Sequence, residues 1–275
     1  MGGQAGSGSQ QRFLVRAYTD ADLPVLRQLA AADRLPSEPP GAHHLPDVPA
    51  SGKLFTLTNA SEQPCGVTCL SVRRSDSAGL VHWLHAQEDL DAVAALLAFA
   101  RAELGHRTLH AFTAPATTSG VPGLPVRHRP ATARALTAAG FTPHTVQEYL
   151  LRDLNDPAPV VLGDPVADVT PLEDRRGWRL VVAGPGSTRV VASALLSRPD
   201  PDSGTAVLWH LAVHPEHRRR GIGHRLLTQC LHLAAASGAR TAAVYIDPDE
   251  EGALRLLAAQ DFDRIDTLAV YHRRP

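Results

Sequence analysis

The sequence predicts an α/β (α+β) chain built from two copies of one unit of about 110–140 residues. Three observations carry this. Strand-like and helix-like stretches alternate along the chain. The same order, paired strands, strand–helix, strand–helix, strand, occurs twice. A stretch with three prolines, LNDPAPVVLGDP, separates the two series. Strands joined through helices require at least some parallel pairing. The expected division is a disordered leader at 1–11, a first domain at 12–156 and a second at 157–275, with the boundary near Pro157.

The first series opens with an alternating strand, FLVRAY, from Phe13. Asp20 or Thr19 then caps ADLPVLRQLAA, which carries Leu23, Leu26 and Leu29 on one helical face. Residues 35–52 hold many prolines and read as a loop. Strands are expected at 53–59, 66–73 and 79–85. The last leads into a helix at 89–104, stopped by Gly105. A strand at 108–113, a Pro/Gly-rich loop, a helix at 131–139 ended by Gly140, and a strand at 145–151 complete the copy.

The second series begins with a hairpin, 177–183 and 188–196, around GPGS. Between Asp164 and Gly177 there is room for a short strand but not for a counterpart of the first copy's opening helix. A strand at 206–213, a loop at 214–220 and a helix at 221–237 stopped by Gly238 follow. A strand at 241–247, a helix at 251–260 and a strand at 266–271 close the chain.

Composition narrows the function. The chain has 275 residues, 27 basic and 28 acidic, and a formal net charge of −1. That balance argues against a nucleic-acid binder or a polybasic membrane binder. No apolar run approaches the roughly 18–20 residues of a transmembrane helix. MGGQAGSGSQQ has no apolar core, so it is not a secretory signal. Three cysteines make no disulfide framework. Cys65 and Cys69 have no further ligands at metal spacing, and read as half-buried strand thiols. A cytoplasmic, reduced protein is expected.

The chemically informative stretch is LWHLAVHPEHRRRGIGHRLL, from Leu208 to Leu227. An apolar strand runs into a basic, glycine-bearing turn that opens a helix. A helix N-terminus carries roughly half a positive charge and unpaired N–H groups, so this turn is an anion site that fits a diphosphate. Gly221 and Gly223 allow close backbone approach. Arg218, Arg219 and Arg220 add positive charge, and His224 follows in the first helical turn. No Gly-Lys-Ser/Thr follows, so this is no P-loop, and a dinucleotide fingerprint would need a third glycine.

The spacing Arg218-x-x-Gly221-x-Gly223 after a strand ending LAVHPE resembles the acetyl-CoA motif of the GCN5-related N-acetyltransferase (GNAT) superfamily. The resemblance implies two GNAT-like domains, each a mixed, mostly antiparallel sheet flanked by helices. It implies that the backbone of Leu211, Ala212 and Val213 pairs with the pantetheine arm. The amides of Arg219, Arg220, Gly221, Ile222, Gly223 and His224 then hold the pyrophosphate. AVYIDPDEEGALRLLAAQDF resembles the family's second region: Leu256 and Phe262 match, whereas Glu251 stands for Asn, Leu257 for Tyr and Asp261 for Gly. The family's tyrosine protonates the departing thiolate, which Leu257 cannot do.

The first copy has a family-like opening, RAYTDADLPVLRQL, and a family-like RPATARALTAAGF. Where the anion turn belongs it reads AQEDLD. Glu88, Asp89 and Asp91 complement that helix dipole themselves and repel a diphosphate. It is expected to be a degenerate copy.

The resemblance thus implies an acetyl-CoA-dependent N-acetyltransferase, catalytic in its second half, acting on an amine acceptor of unread identity. The alternative is an acyl-CoA-binding regulatory protein with little or no turnover. Candidate bases are His210, Asp247 and Glu173, and Tyr245 is a candidate acid. Alternation puts Val207, Trp209, Leu211 and Val213 on one face of the strand and Leu208, His210, Ala212 and His214 on the other, unless a bulge intervenes. His82 and His85, three apart in a strand, point to opposite faces and cannot chelate together. No metal is expected.

Overall fold

A computed structural model describes residues 12–35, 48–113, 122–155, 166–173, 176–184, 186 and 188–275. The leader at 1–11, the boundary at Pro157, and the parts of the two large loops at 36–47 and 114–121 lie outside these residues. In the first half, β1 (Phe13–Ala17), β2 (Lys53–Asn59), β3 (Pro64–Val72) and β4 (Gly79–His85) form an antiparallel run, and β5 (Leu109–Ala111) joins β4 in parallel. In the second half, β8 (Asp168–Pro171), β9 (Gly177–Ala183), β10 (Val190–Ser197) and β11 (Thr205–Val213) are antiparallel, and β12 (Thr241–Ile246) joins β11 in parallel. Each parallel pair needs a helical crossover. These are α2 (Leu90–Leu104) and α4 (Ile222–Ala236).

The helix ends follow local chemistry. Thr19 and Asp22 form a capping box over a single 3-10 turn that precedes α1 (Leu23–Ala32). Gly105, just past α2, has φ 66°, which suits a residue without Cβ. α1 packs Leu26 and Leu29 on Val67, Cys69 and Trp83 on one sheet face. α2 and α3 (Pro130–Ala138) cover the other face with a core that includes Leu96, Leu97 and Leu136. α4 and α5 (Glu251–Ala258) bury Leu226, Leu227, Cys230 and Leu257 against Leu180, Ala194 and Leu208. Between β8 and β9 the described residues hold no counterpart of α1.

The two halves share one sheet through an exchange of strands. β7 (Thr142–Asp153), the last strand of the first half, pairs with β12 of the second. β13 (Asp263–Arg273), the last strand of the second half, pairs with β5 of the first. The two strands also pair with each other, giving the order β1-β2-β3-β4-β5-β13-β7-β12-β11-β10-β9-β8. A short β6 (Leu124–Pro125) adds to β13. The sheet is thus mixed and mostly antiparallel, with helices against it, as expected. Its hydrogen bonding runs unbroken across the sequence division. Among the described residues no helix is long and apolar enough to cross a membrane.

Candidate functional site

The second half opens a gap at the C-terminal ends of its parallel strands. Pairing between β11 and β12 ends at Leu208 with Val244. β11 continues to Val213, held only on its β10 side, where Leu211, Ala212 and Val213 pair with Ala194, Ser193 and Ala192. Among the described residues no strand pairs with the other edge of 209–213. Its backbone groups line the gap.

At the end of this edge the chain turns into α4. Arg219 and Gly221 both have positive φ, 63° and 76°. Arg218 donates from Nε to the Val213 carbonyl at 3.0 Å, which closes the turn against the strand end. Arg225 donates to the Arg220 carbonyl at 3.1 Å. Arg218 through Gly221 and His224 are exposed, whereas Ile222 is buried in the core, so only its backbone faces the turn. At Gly223 a Cβ would meet only ordinary contacts, 3.4 Å from Val213 and 3.5 Å from Leu256. The N-cap of α4 is Gly221, no side chain caps the helix, and its first turn holds no acidic residue. The expected site residues are therefore contiguous: 211–213 lie along the gap and 218–224 at its end.

The equivalent turn of the first half is already filled. Asp89 is the N-cap of α2 and accepts from the amides of Asp91 and Ala92 at 2.9 and 3.0 Å. Glu88 accepts from the amides of Ala131 and Thr132 at the start of α3, at 2.7 and 3.1 Å. Arg129, buried, holds Glu88 at 3.2 Å and Asp33 at 2.9 Å. Two helix N-termini are thus satisfied by the protein's own carboxylates. The role of Glu88 at α3 is invisible in sequence, because the two segments lie 43 residues apart.

A bulge decides where His210 points. On β11, His210 pairs with Leu195 and Leu208 with Leu196, so Trp209 is the extra residue. Leu208, Leu211 and Val213 all pack on the α4 side, while Val207 packs on the opposite face. Strict alternation, which grouped Trp209 with Leu211 and Val213, therefore fails here. His210 lies on the face away from α4 instead of under a helix. It is exposed, with Nε2 3.3 Å from the Ser193 hydroxyl. Tyr245 is on that same face, stacked on Tyr149 at 5.0 Å and 9°.

The other candidates separate. Asp247 accepts from the amide of Asp249 within its own turn at 2.9 Å. Glu173 is exposed in the β8–β9 turn, beside the strand ends remote from Val213. Leu257 is 4% exposed, inside the core under α5. Asp261 takes φ 55°, the backbone that the family's glycine would supply. His82 bonds Ser71 at 2.8 Å, and His85 bonds Asp33 at 3.0 Å. His82 is itself the extra residue of a bulge in β4, which breaks the expected alternation, yet the two histidines keep separate partners. Burial pushes the Cys69 and Cys230 thiols up to about 12, which leaves them protonated at neutral pH. Among the described residues no group of three or more His, Cys, Asp or Glu is placed to hold a metal.

Residues 148–262 match the model of the acetyltransferase (GNAT) family. Among solved structures, a GCN5-related N-acetyltransferase from Sphaerobacter thermophilus superposes with TM-score 0.63 at 15% identity, covering 96% of this chain and 97% of that one. A tandem GNAT protein from the clavulanic acid biosynthesis pathway gives 0.57 at 16%, covering 94% and 97%. A GNAT-family acetyltransferase from Colwellia psychrerythraea gives 0.56 at 15%, covering 95% and 100%. At these identities the likeness is one of fold. Among curated proteins none matches the chain.

Proposed function

We propose, from the match of residues 148–262 to the GNAT acetyltransferase family model, that the chain is an acetyl-CoA-dependent N-acetyltransferase, catalytic in its second half. The observation that carries this is the contrast between two equivalent helix starts. α4 begins on Gly221 with its amides uncapped, whereas α2 begins on an Asp89 that caps its own. The diphosphate of the donor would take the amides of 219–224, and its pantetheine arm would pair along 211–213 in the gap beside β12. The first half, with Glu88 and Asp89 in place, would bind no donor. The three free thiols support a reducing compartment, and we place the protein in the cytoplasm.

In the reaction the amine nitrogen attacks the thioester carbonyl, the carbon–sulfur bond breaks, and the amine's proton must leave. His210 is the base this arrangement favours: it is exposed, faces away from α4 and follows the bulge at the mouth of the gap. The departing thiolate needs a proton that Leu257 cannot give. Tyr245, on the His210 face, is the phenol assigned to that role, with water as the alternative donor.

The reading predicts amine-dependent release of free thiol when the purified chain meets acetyl-CoA and a panel of amines. His210→Gln should lower kcat/KM by about 10²–10⁴-fold at unchanged CoA affinity. The buried Leu257 favours a second reading, a CoA-binding regulatory protein with little turnover. CoA binding without thiol release across the panel would select it.

A further inference from the structure

Trp209 is the bulge residue, and it stands where β11 leaves β12. It is 53% exposed, unlike Trp83, which is buried. Its ring lies 6.4 Å from Tyr245 at 22°, and Tyr245 in turn lies 5.0 Å from Tyr149 at 9°. Three near-parallel rings therefore form a column. Its inner end is the buried Tyr149, on a strand exchanged from the first half, and its outer end is an open indole. Tyr149 and Tyr245 are direct register partners, which fixes the inner two rings. The column stands on the face that carries His210.

A bulge normally re-aims a side chain, and this one leaves the indole accessible beside His210. Offset parallel stacking is the geometry aromatic faces prefer. A fourth planar ring placed on Trp209 extends the column. A short linker from that ring brings an amine to the neighbourhood of the adjacent His210.

We propose that Trp209, backed by Tyr245 and Tyr149, is the acceptor-binding platform, and that the acceptor is an amine carried on an aromatic or similarly planar ring. The inference rests on the acetyltransferase reading, and it makes the acceptor subsite a joint product of both halves, since Tyr149 belongs to β7.

The test uses the full chain and two amines of equal heavy-atom count, 2-phenylethylamine and 2-cyclohexylethylamine, with kcat/KM referred to the free-base concentration of each, and the nitroaryl amine 4-nitrophenethylamine as a quencher. With acetyl-CoA saturating, kcat/KM should favour the aryl amine by about 2–10-fold, the worth of one aromatic stack. Trp209→Ala should bring the ratio near one, and Trp209→Phe should keep most of it. A CoA titration of each variant reports that it is folded. A second measurement needs no turnover: the nitroaryl amine should quench tryptophan emission saturably, and Trp209→Phe should abolish the saturable part. Equal use of both amines with wild-type ratios in Trp209→Ala would overturn the platform while leaving the acetyltransferase intact. Absence of thiol release with every amine would count against the acetyltransferase reading instead. In that case saturable quenching lost in Trp209→Phe upholds the platform, and no quenching rejects it.

Discussion

Asp89 and Gly221 occupy the same place in the two halves, the N-cap of the helix that follows the first parallel strand, and only Asp89 closes the amides above it. On the proposed function, these two residues decide which half takes the diphosphate. Gly221→Asp should reproduce the first-half arrangement at α4. Aspartate tolerates the positive φ better than most residues, so the fold should survive. CoA affinity should fall by at least ~10²-fold, because a carboxylate fills the site and repels diphosphate. Asp89→Ala should cost about 0.5–2 kcal/mol of stability through the lost cap and leave CoA affinity nearly unchanged. Calorimetry should find one CoA per chain, and two equal sites would contradict the assignment of the first half.

The exchanged strands predict how the chain can be cut. A fragment of residues 158–275 lacks β7, which lies between β12 and β13. It leaves β12 with an open edge, and β13 loses its partners on both sides, β5 and β7. The fragment should be insoluble or lack a cooperative unfolding transition by circular dichroism. Missing cover from an opening helix is a sequence-level reason for the same outcome, but the loss of β7 is the larger one. A soluble, cooperative, CoA-binding fragment would refute it.

Leu257→Tyr restores the family residue in name. From sequence, it should raise turnover wherever the pocket accepts a phenol. The side chain is packed against the core under α5, with no room shown for a ring. Overpacking there should cost about 1–3 kcal/mol, and turnover should not rise. Thermal denaturation and thiol release on the same preparation decide it. A gain in rate at undiminished stability would mean the core yields to the phenol.

Histidines predict the pH dependence of stability. Burial holds His82, His85 and His110 below the usual histidine range. Between their folded values and the unfolded value of ~6.5, the unfolded chain binds more protons, so stability rises with pH through that window and is level below it. Urea midpoints at fixed ionic strength should be lower at pH 5.5 than at pH 7.5. His82→Gln should flatten the difference, since Gln can still bond Ser71 without taking a proton. A pH-independent midpoint would show that these side chains protonate freely in the folded state.

Most of the elements, and the position of the basic glycine-bearing turn at 218–223, follow from the sequence. β2, β4 and β9 fall on the residues that alternation and glycine punctuation mark out, α2 begins and ends within a residue of Asp89 and Gly105, and α4 starts directly after Gly221 and ends two residues before Gly238. Those features are local: a capping side chain, a glycine stop and an apolar period act within a few residues. The contrast between Arg218–Gly223 and Glu88–Asp91 is local too, and was legible for that reason. The rest depends on how distant segments meet. β7 and β13 found each other's half, because backbone hydrogen bonds carry no label for which edge they pair with. The Trp209 bulge reversed the face of His210, because register depends on the neighbouring strand and not on the strand's own pattern. Glu88 reached the start of α3, and Tyr149 came to lie under Tyr245, because chain segments far apart in sequence were brought together by packing the core. Side-chain chemistry is written residue by residue, whereas the meeting of residues belongs to the whole sheet.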